Sequence, residues 1–239
     1  MSHLPDVPKR LESGILVALE GIDGAGKTTQ AKRLTTLLRD TGLDVVSTKE
    51  PTNGPWGRKL RESAKLGRLS AEEELDLFIR DRKEHVEKLL LPALKAGKVV
   101  IVDRYYFSNV AYQGARGMER ERILALNEAF APPPDLLVLI EVTPEQGLRR
   151  IHQRGDKGNL FEEESSLRAV AEVFATMSFP YMQRVDGTKP VEAISLEILE
   201  RLYSGLLSTR DLKPESTSLP KGADEPSNIE VWEALSQSE

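Results

Sequence analysis

Gly14-Ile15-Leu16-Val17-Ala18-Leu19-Glu20-Gly21-Ile22-Asp23-Gly24-Ala25-Gly26-Lys27-Thr28-Thr29-Gln30 is an apolar run, then a glycine-rich loop, then the start of a new periodic segment. The run over 14–20 shows no polar alternation and reads as a parallel strand buried on both faces, while residues 29–39 repeat apolar side chains at helical spacing. Between them, Gly21 to Thr28 fits G-x-x-x-x-G-K-[ST], a loop whose backbone N–H groups close around the phosphates of a nucleotide. Its glycines let the backbone turn tightly and approach an anion, and the helix that follows adds unpaired N–H groups and the positive end of its dipole. Gly21, Ile22, Asp23, Gly24, Ala25, Gly26, Lys27, Thr28 and Thr29 therefore form the expected triphosphate site, with Lys27 aimed at the β/γ-phosphates and Thr28 at a magnesium ion. The motif is silent on what the nucleotide is used for.

At 239 residues the chain is long enough for one sizeable α/β domain, and length alone allows two. A formal net charge of −5 carries no basic surplus of the kind a general nucleic-acid binder shows. The absence of cysteine excludes a disulfide scaffold, a thiolate zinc site and a cysteine nucleophile. No apolar run approaches the ~18 residues of a membrane span, and Met1 to Arg10 lacks the apolar centre of a signal peptide. The expectation is a cytoplasmic protein that engages neither nucleic acid nor membrane.

Along the chain, residues 1–12 read as a flexible extension, 13–207 as one globular domain and 208–239 as a tail rich in Ser, Pro, Lys and Glu that is mostly disordered. Further strands are expected at 44–48, 98–103, 135–142 and 184–186, alternating with helical segments. Ser70 with Glu73 makes a capping box for a helix running to about Ala96, whose apolar face includes Leu75, Phe78, Ile79, Val86, Leu89 and Leu90. Phe78 can serve core packing or a ligand. The Glu50-Pro51 loop lies at the carboxyl end of the second strand, and Asp103-Arg104 at the end of a β-branched run, where open α/β sheets bind ligands. Helices over 106–130 break near Gly114 and Gly117. The basic stretch Arg149-Arg150-Ile151-His152-Gln153-Arg154 ends in Gly155 and Gly158, so a lid over about 149–160 stands beside the alternative of a solvated helix face. His152 reads as a surface residue rather than a metal ligand.

These elements specify a three-layer α/β/α fold with a central parallel sheet. A switch GTPase would need an Asn-Lys-x-Asp guanine reader, which is absent. A hydroxyl acceptor needs a general base, whereas a phosphate acceptor, largely ionised near pH 7, needs only cations. The chain offers Arg61, Arg82, Arg104 and the lid arginines, and no obvious base beyond Asp23 and Glu50. A small-molecule kinase is favoured over a non-catalytic nucleotide-binding module.

Glu20 to Gln30, Glu50-Pro51, Phe78-Ile79-Arg80-Asp81-Arg82, Asp103-Arg104-Tyr105 and Ser108-Asn109-Val110-Ala111-Tyr112-Gln113-Gly114 together resemble the thymidylate kinase family of P-loop nucleoside monophosphate kinases over roughly residues 14–204. That resemblance implies the P-loop kinase fold, transfer of the ATP γ-phosphoryl to dTMP with Mg²⁺ to give dTDP for dTTP synthesis, and a homodimer. It implies catalytic roles for Lys27, Arg104 and, since the phosphate loop has no arginine of its own, the lid residues Arg149, Arg150 and Arg154. It implies Asp23 near the sugar and, with Thr28, the metal; Phe78 stacked on thymine; Arg82 and Asn109 at its polar edge; and Tyr112 against the sugar 2′ position. Glu50, Pro51, Arg61, Asp103, Ser108 and Gln113 complete the implied substrate set. A relative acting on another nucleoside or nucleoside monophosphate is the near alternative.

Overall fold

The computed structural model describes residues 10–66, 69–153 and 160–208. Five strands, β1 (Ile15–Glu20), β2 (Val45–Lys49), β3 (Val99–Asp103), β4 (Leu136–Glu141) and β5 (Met182–Asp186), form an all-parallel sheet in the order β2-β3-β1-β4-β5. The central strand β1 is buried along its whole length, as its unbroken apolar sequence requires, whereas β5 at the edge is buried only at Val185.

Successive side chains of a strand point to opposite faces, so each apolar strand feeds two cores. On one face Ile15, Val17, Leu19, Ile101, Val138 and Ile140 pack with Leu34 and Leu38 of α1 (Lys27–Asp40) and Ile194, Ile198 and Leu199 of α9 (Val191–Arg201). On the other, Leu16, Ala18, Val100, Val102, Leu137 and Leu139 meet Leu75 of α3 (Ala71–His85), Val110 and Ala111 of α5 (Tyr106–Gly114), and Val170, Val173 and Phe174 of α8 (Leu160–Thr176). This is the expected α/β/α sandwich.

Register brings the ligand-binding segments together. Leu19 of β1 and Lys49 of β2 both lie opposite Asp103 of β3, so the phosphate loop, the Glu50 loop and Arg104 emerge at one edge. Arg104 N donates to Leu19 O at 3.0 Å and Glu50 N to Asp103 O at 3.1 Å, which ties the three strand ends.

Two local differences from the sequence expectations have clear causes. The helix expected from Ser70 to Ala96 begins with the capping box, Glu73 N donating to Ser70 Oγ at 3.2 Å and Ser70 N to Glu73 Oε2 at 3.0 Å. It then passes through a π turn, Val86–Leu90, before α4 (Leu91–Lys95). Pro92 cannot donate a backbone hydrogen bond, and the wider turn just before it absorbs the mismatch. Leu11, assigned from sequence to the loose extension, is 1% exposed, and its N–H donates to Gly97 O at 2.9 Å. A Cβ on Gly97, at φ 78°, would stand 1.9 Å from Leu11 O, so the glycine is what lets the N-terminal segment lie against the domain.

Candidate active site

The phosphate loop is held in shape by its own lysine and by a second glycine. Lys27 Nζ donates to Gly21 O at 3.0 Å and Ile22 O at 2.8 Å. Gly24 has φ 81°, and a Cβ there would meet Gly147 O of α7 (Pro144–Gln153) at 2.2 Å. Gly147, to which the sequence reading gave no role, permits this approach because its own missing side chain would lie 2.6 Å from Asp23 O. Burial pulls the Lys27 ammonium down to about 7, aided by the Arg104 charge and opposed by Asp23, Asp103 and Glu20. A charge so desolvated gains most from an anion placed beside it.

Thr28 Oγ1 donates to Asp103 Oδ2 at 2.5 Å, joining the first turn of α1 to the end of β3. Asp23, expected with Thr28 at the metal, makes two protein contacts of its own. Its Oδ1 takes Arg104 Nη2 at 2.5 Å and its Oδ2 takes the Tyr112 hydroxyl at 2.9 Å. Partial burial would raise the Asp23 carboxyl, yet the Arg104 and Lys27 charges and these hydrogen bonds hold it below its usual range.

Arg104 is the one non-glycine residue at positive φ among the described residues, at 71°. That twist at the strand end turns its guanidinium over the Tyr112 ring, 5.2 Å from the centroid, and within 3.2 Å of Ser108 Oγ. Burial opposes its charge, while Tyr112, Asp23 and Glu20 keep it firmly protonated. Glu20, which closes β1, is buried: Oε1 accepts from the backbone N of Tyr105 at 2.7 Å and Ser108 at 3.0 Å, and Oε2 accepts from Ser108 Oγ at 2.6 Å. A carboxylate from another element thus caps α5 and satisfies N–H groups that would otherwise be orphaned. Desolvation raises the Glu20 pKa, with Ser108 and the Arg104 and Lys27 charges opposing.

Beside the phosphate loop opens a cleft of about 670 Å³, within the range of small-ligand sites. Of the residues expected to touch substrate, Asp23, Glu50, Pro51, Arg61, Phe78, Arg82, Arg104, Ser108, Asn109, Tyr112 and Gln113 all line it. Asp103 lies apart, on Thr28. Phe78 is half-buried at the cleft wall, so core packing is not its whole occupation. Arg61 grips the loop after Glu50, donating to Pro51 O at 3.0 Å and Thr52 O at 2.7 Å, and presents its remaining surface to the cleft.

Under the cleft runs a polar network that the sequence reading did not find. Glu50 follows its strand end into the core, 5% exposed, where Oε2 accepts from Arg82 Nε at 2.7 Å and Oε1 meets His85 Nδ1 at 2.9 Å. A carboxylate acceptor calls for a proton on His85 Nδ1, and the other ring nitrogen, Nε2, stands 2.8 Å from the Thr48 hydroxyl oxygen. A buried ion pair adds little net stability, but removing one partner costs about 3–5 kcal/mol. The network is therefore hard to rearrange. The one signal in the sequence was the spacing of Arg82 and His85, which puts both on one side of α3.

The basic stretch is divided. Arg149 is exposed on α7. Arg150 reaches back to the phosphate loop, with Nη1 3.3 Å from Gly24 O and 3.4 Å from Ala25 O, and Nη2 2.8 Å from Gly187 O. Arg154 and the rest of 154–159, half of the expected lid, lie outside the described residues, as do 1–9 and 209–239.

A strand, a phosphate-binding loop and a helix, opening onto a nucleoside-sized cleft, are shared by many kinases. A family model described as thymidylate kinase matches residues 19–198. The chain belongs to the thymidylate kinase family. Thymidylate kinases similar to it include that of Xanthomonas campestris pv. campestris (strain B100), 52% identical over 76% of this chain and 79% of the relative. That of Xanthomonas oryzae pv. oryzae (strain PXO99A) is 54% identical over the same shares, and that of Xylella fastidiosa (strain M12) is 50% identical over 76% and 83%. All the segments that carry the thymidylate kinase resemblance, from Glu20 to Gly114, fall inside the matched region. Among the described residues, no helix is long and apolar enough to cross a membrane.

Proposed function

We propose that the protein transfers the γ-phosphoryl group of ATP to dTMP. The observation that carries this is the placement of Arg104 between the phosphate loop, through Asp23, and a cleft walled by Phe78 with Arg82 and Asn109 at its floor. A phosphate acceptor needs no general base, and among the described residues the two candidate carboxylates are committed: Glu50 to Arg82 and His85, and Asp23 to Arg104 and Tyr112. Catalysis is then positioning plus charge stabilisation. Backbone N–H groups of Gly21 to Thr29 and the Lys27 ammonium hold the triphosphate. Arg104 bridges donor and acceptor phosphates, and Phe78 stacks on the base.

Thr28 and Asp103 fit magnesium: a hydroxyl and a carboxylate, both hard oxygen donors, already touch beside the phosphate loop. Mg²⁺ keeps waters and substrate phosphates among its ligands, so it needs few protein donors. When bound, Mg²⁺ supplies charge neutralisation on the β/γ-phosphate oxygens. Family membership also supports a homodimer in the cytoplasm.

A coupled ADP-release assay across nucleoside monophosphates tests the assignment. dTMP should be the best acceptor; faster use of dCMP, dAMP or dGMP at equal concentration would overturn it. Loss of one methyl from an apolar pocket is worth about 1–3 kcal/mol, so dUMP should be used about 10 to 200-fold less efficiently in kcat/KM. Tyr112 fills the cleft beside Asp23 and should exclude a ribose 2′-hydroxyl by bulk. Tyr112→Phe is then expected to keep sugar selectivity, while Tyr112→Ala admits ribothymidine monophosphate; equal selectivity in both variants would release Tyr112 from that role.

A further inference from the structure

The floor of the cleft is held from behind by a residue that belongs to none of the sequence motifs. Asn127 lies on α6 (Arg120–Glu128) and is 0% exposed. Its Nδ2 donates to Ile123 O at 2.8 Å, one turn back in its own helix, and its Oδ1 accepts from Arg82 Nη1. The same Nη1 donates to Asn109 Oδ1 at 2.5 Å, while Nε and Nη2 of Arg82 both reach Glu50 Oε2 at 2.7 Å.

A guanidinium has five N–H groups. Those four contacts leave one, on Nη2, for whatever enters the cleft that Arg82 lines. Asn109 is oriented just as tightly. The Glu74 carboxylate can only accept, so Gln113 turns its Nε2 to it at 3.3 Å and its Oε1 to Asn109 Nδ2 at 3.1 Å. Asn109 must then show Oδ1 to Arg82 and keeps one N–H of its own. Both free groups at the floor are donors. Such a floor accepts a base that offers a ring carbonyl and disfavours one that offers an amino group, because two facing donors leave buried N–H groups unpaired.

We propose that Asn127 is a positioning residue for base recognition: by taking one Nη1 proton it fixes the Arg82 plane, so that a single Nη2 N–H meets a pyrimidine carbonyl. The proposal rests on dTMP being the acceptor. Without the Asn127 acceptor, the guanidinium retains Glu50, Asn109 and the Tyr105 ring, 5.7 Å from its centre, but gains a second uncommitted donor, on Nη1, that competes for the base. Recognition of the base should loosen while phosphoryl transfer, which takes place at Arg104 and Lys27, proceeds.

The test compares wild type, Asn127→Ala and Asn127→Asp in steady-state kinetics with dTMP and dCMP. Asp keeps an acceptor oxygen for Arg82, now charged, and replaces the donor to Ile123 O by a second carboxylate oxygen, so it separates the contact with Arg82 from the local helix bond. Asn127→Ala is expected to raise KM for dTMP about tenfold, with kcat and KM for ATP within about twofold of wild type. Its dTMP/dCMP ratio of kcat/KM should fall about tenfold, and Asn127→Asp should restore that ratio to within about threefold. The ratio is read on one preparation and cancels the fraction of folded enzyme. A wild-type ratio in the Ala variant, or an equal fall in Ala and Asp, would overturn the proposal. If the Ala variant does not fold, the Asp variant decides: a wild-type ratio supports the acceptor role and a lowered one refutes it. Failure of the dTMP assignment itself would appear separately, as wild-type enzyme that prefers another acceptor.

Discussion

Replacing Lys27 with alanine is expected to lower kcat at least ~10³-fold while leaving the fold intact. The ammonium sits against Gly21 O and Ile22 O inside the phosphate loop, in surroundings that strip it of water. In such surroundings its attraction for negative charge growing on the transferred phosphoryl group is far stronger than in bulk water. Losses of 10² to 10³-fold per preorganised donor are typical, and a full charge at this position belongs at the upper end or beyond. Stability should change little. Burial disfavours the charged form, so alanine removes a desolvation cost, which offsets the loss of the contacts to Gly21 O and Ile22 O. Thermal unfolding of Lys27→Ala followed by circular dichroism should therefore show a Tm close to wild type. Turnover within tenfold of wild type in that folded variant would take Lys27 out of the transition state.

Arg104→Ala is the second large loss, again at least ~10³-fold in kcat. Here the structure adds a backbone signature. A non-glycine residue at φ 71° costs roughly 1–3 kcal/mol, and it persists only where its surroundings over-determine it. Arg104 is held by its N–H on Leu19 O, by Asp23 and Ser108, and by the Tyr112 ring. The strained turn is what directs the guanidinium from the end of β3 across the gap between phosphate loop and cleft. Alanine loses the charge and keeps the strain, whereas glycine loses both. Arg104→Gly should thus be as inactive as Arg104→Ala yet melt at a higher temperature, by an amount corresponding to up to about 1 kcal/mol. Equal melting temperatures would mean the turn stores no strain, and residual turnover above about a tenth of wild type in either variant would remove Arg104 from phosphoryl transfer.

Much of this was legible in the chain because the relevant codes are local. A run such as Leu16-Val17-Ala18-Leu19 must be buried on both faces, and the alternation of its side chains between two cores follows from the two-residue repeat of a strand. Gly21 to Thr28 announces a phosphate loop because positive φ and close approach of backbone to an anion restrict the residue types allowed, and Ser70 with Glu73 announces a helix start for a similar reason. Those signals determined the sheet, the order of its helices and the edge at which ligands bind. Tertiary structure alone decided the partners. That Thr28 meets Asp103 and not Asp23 depends on the register of β3 against β1, set by residues about eighty positions apart in sequence. That Arg150 braces the phosphate loop depends on where α7 crosses it, through a glycine-to-glycine approach that neither Gly24 nor Gly147 reveals alone. Glu50, Arg82, His85, Asn109 and Asn127 come from four separate segments, and hydrogen bonding among them carries no periodicity for a sequence to display. A buried polar group must find a partner, but which partner it finds is fixed only when the strands and helices that carry both have docked.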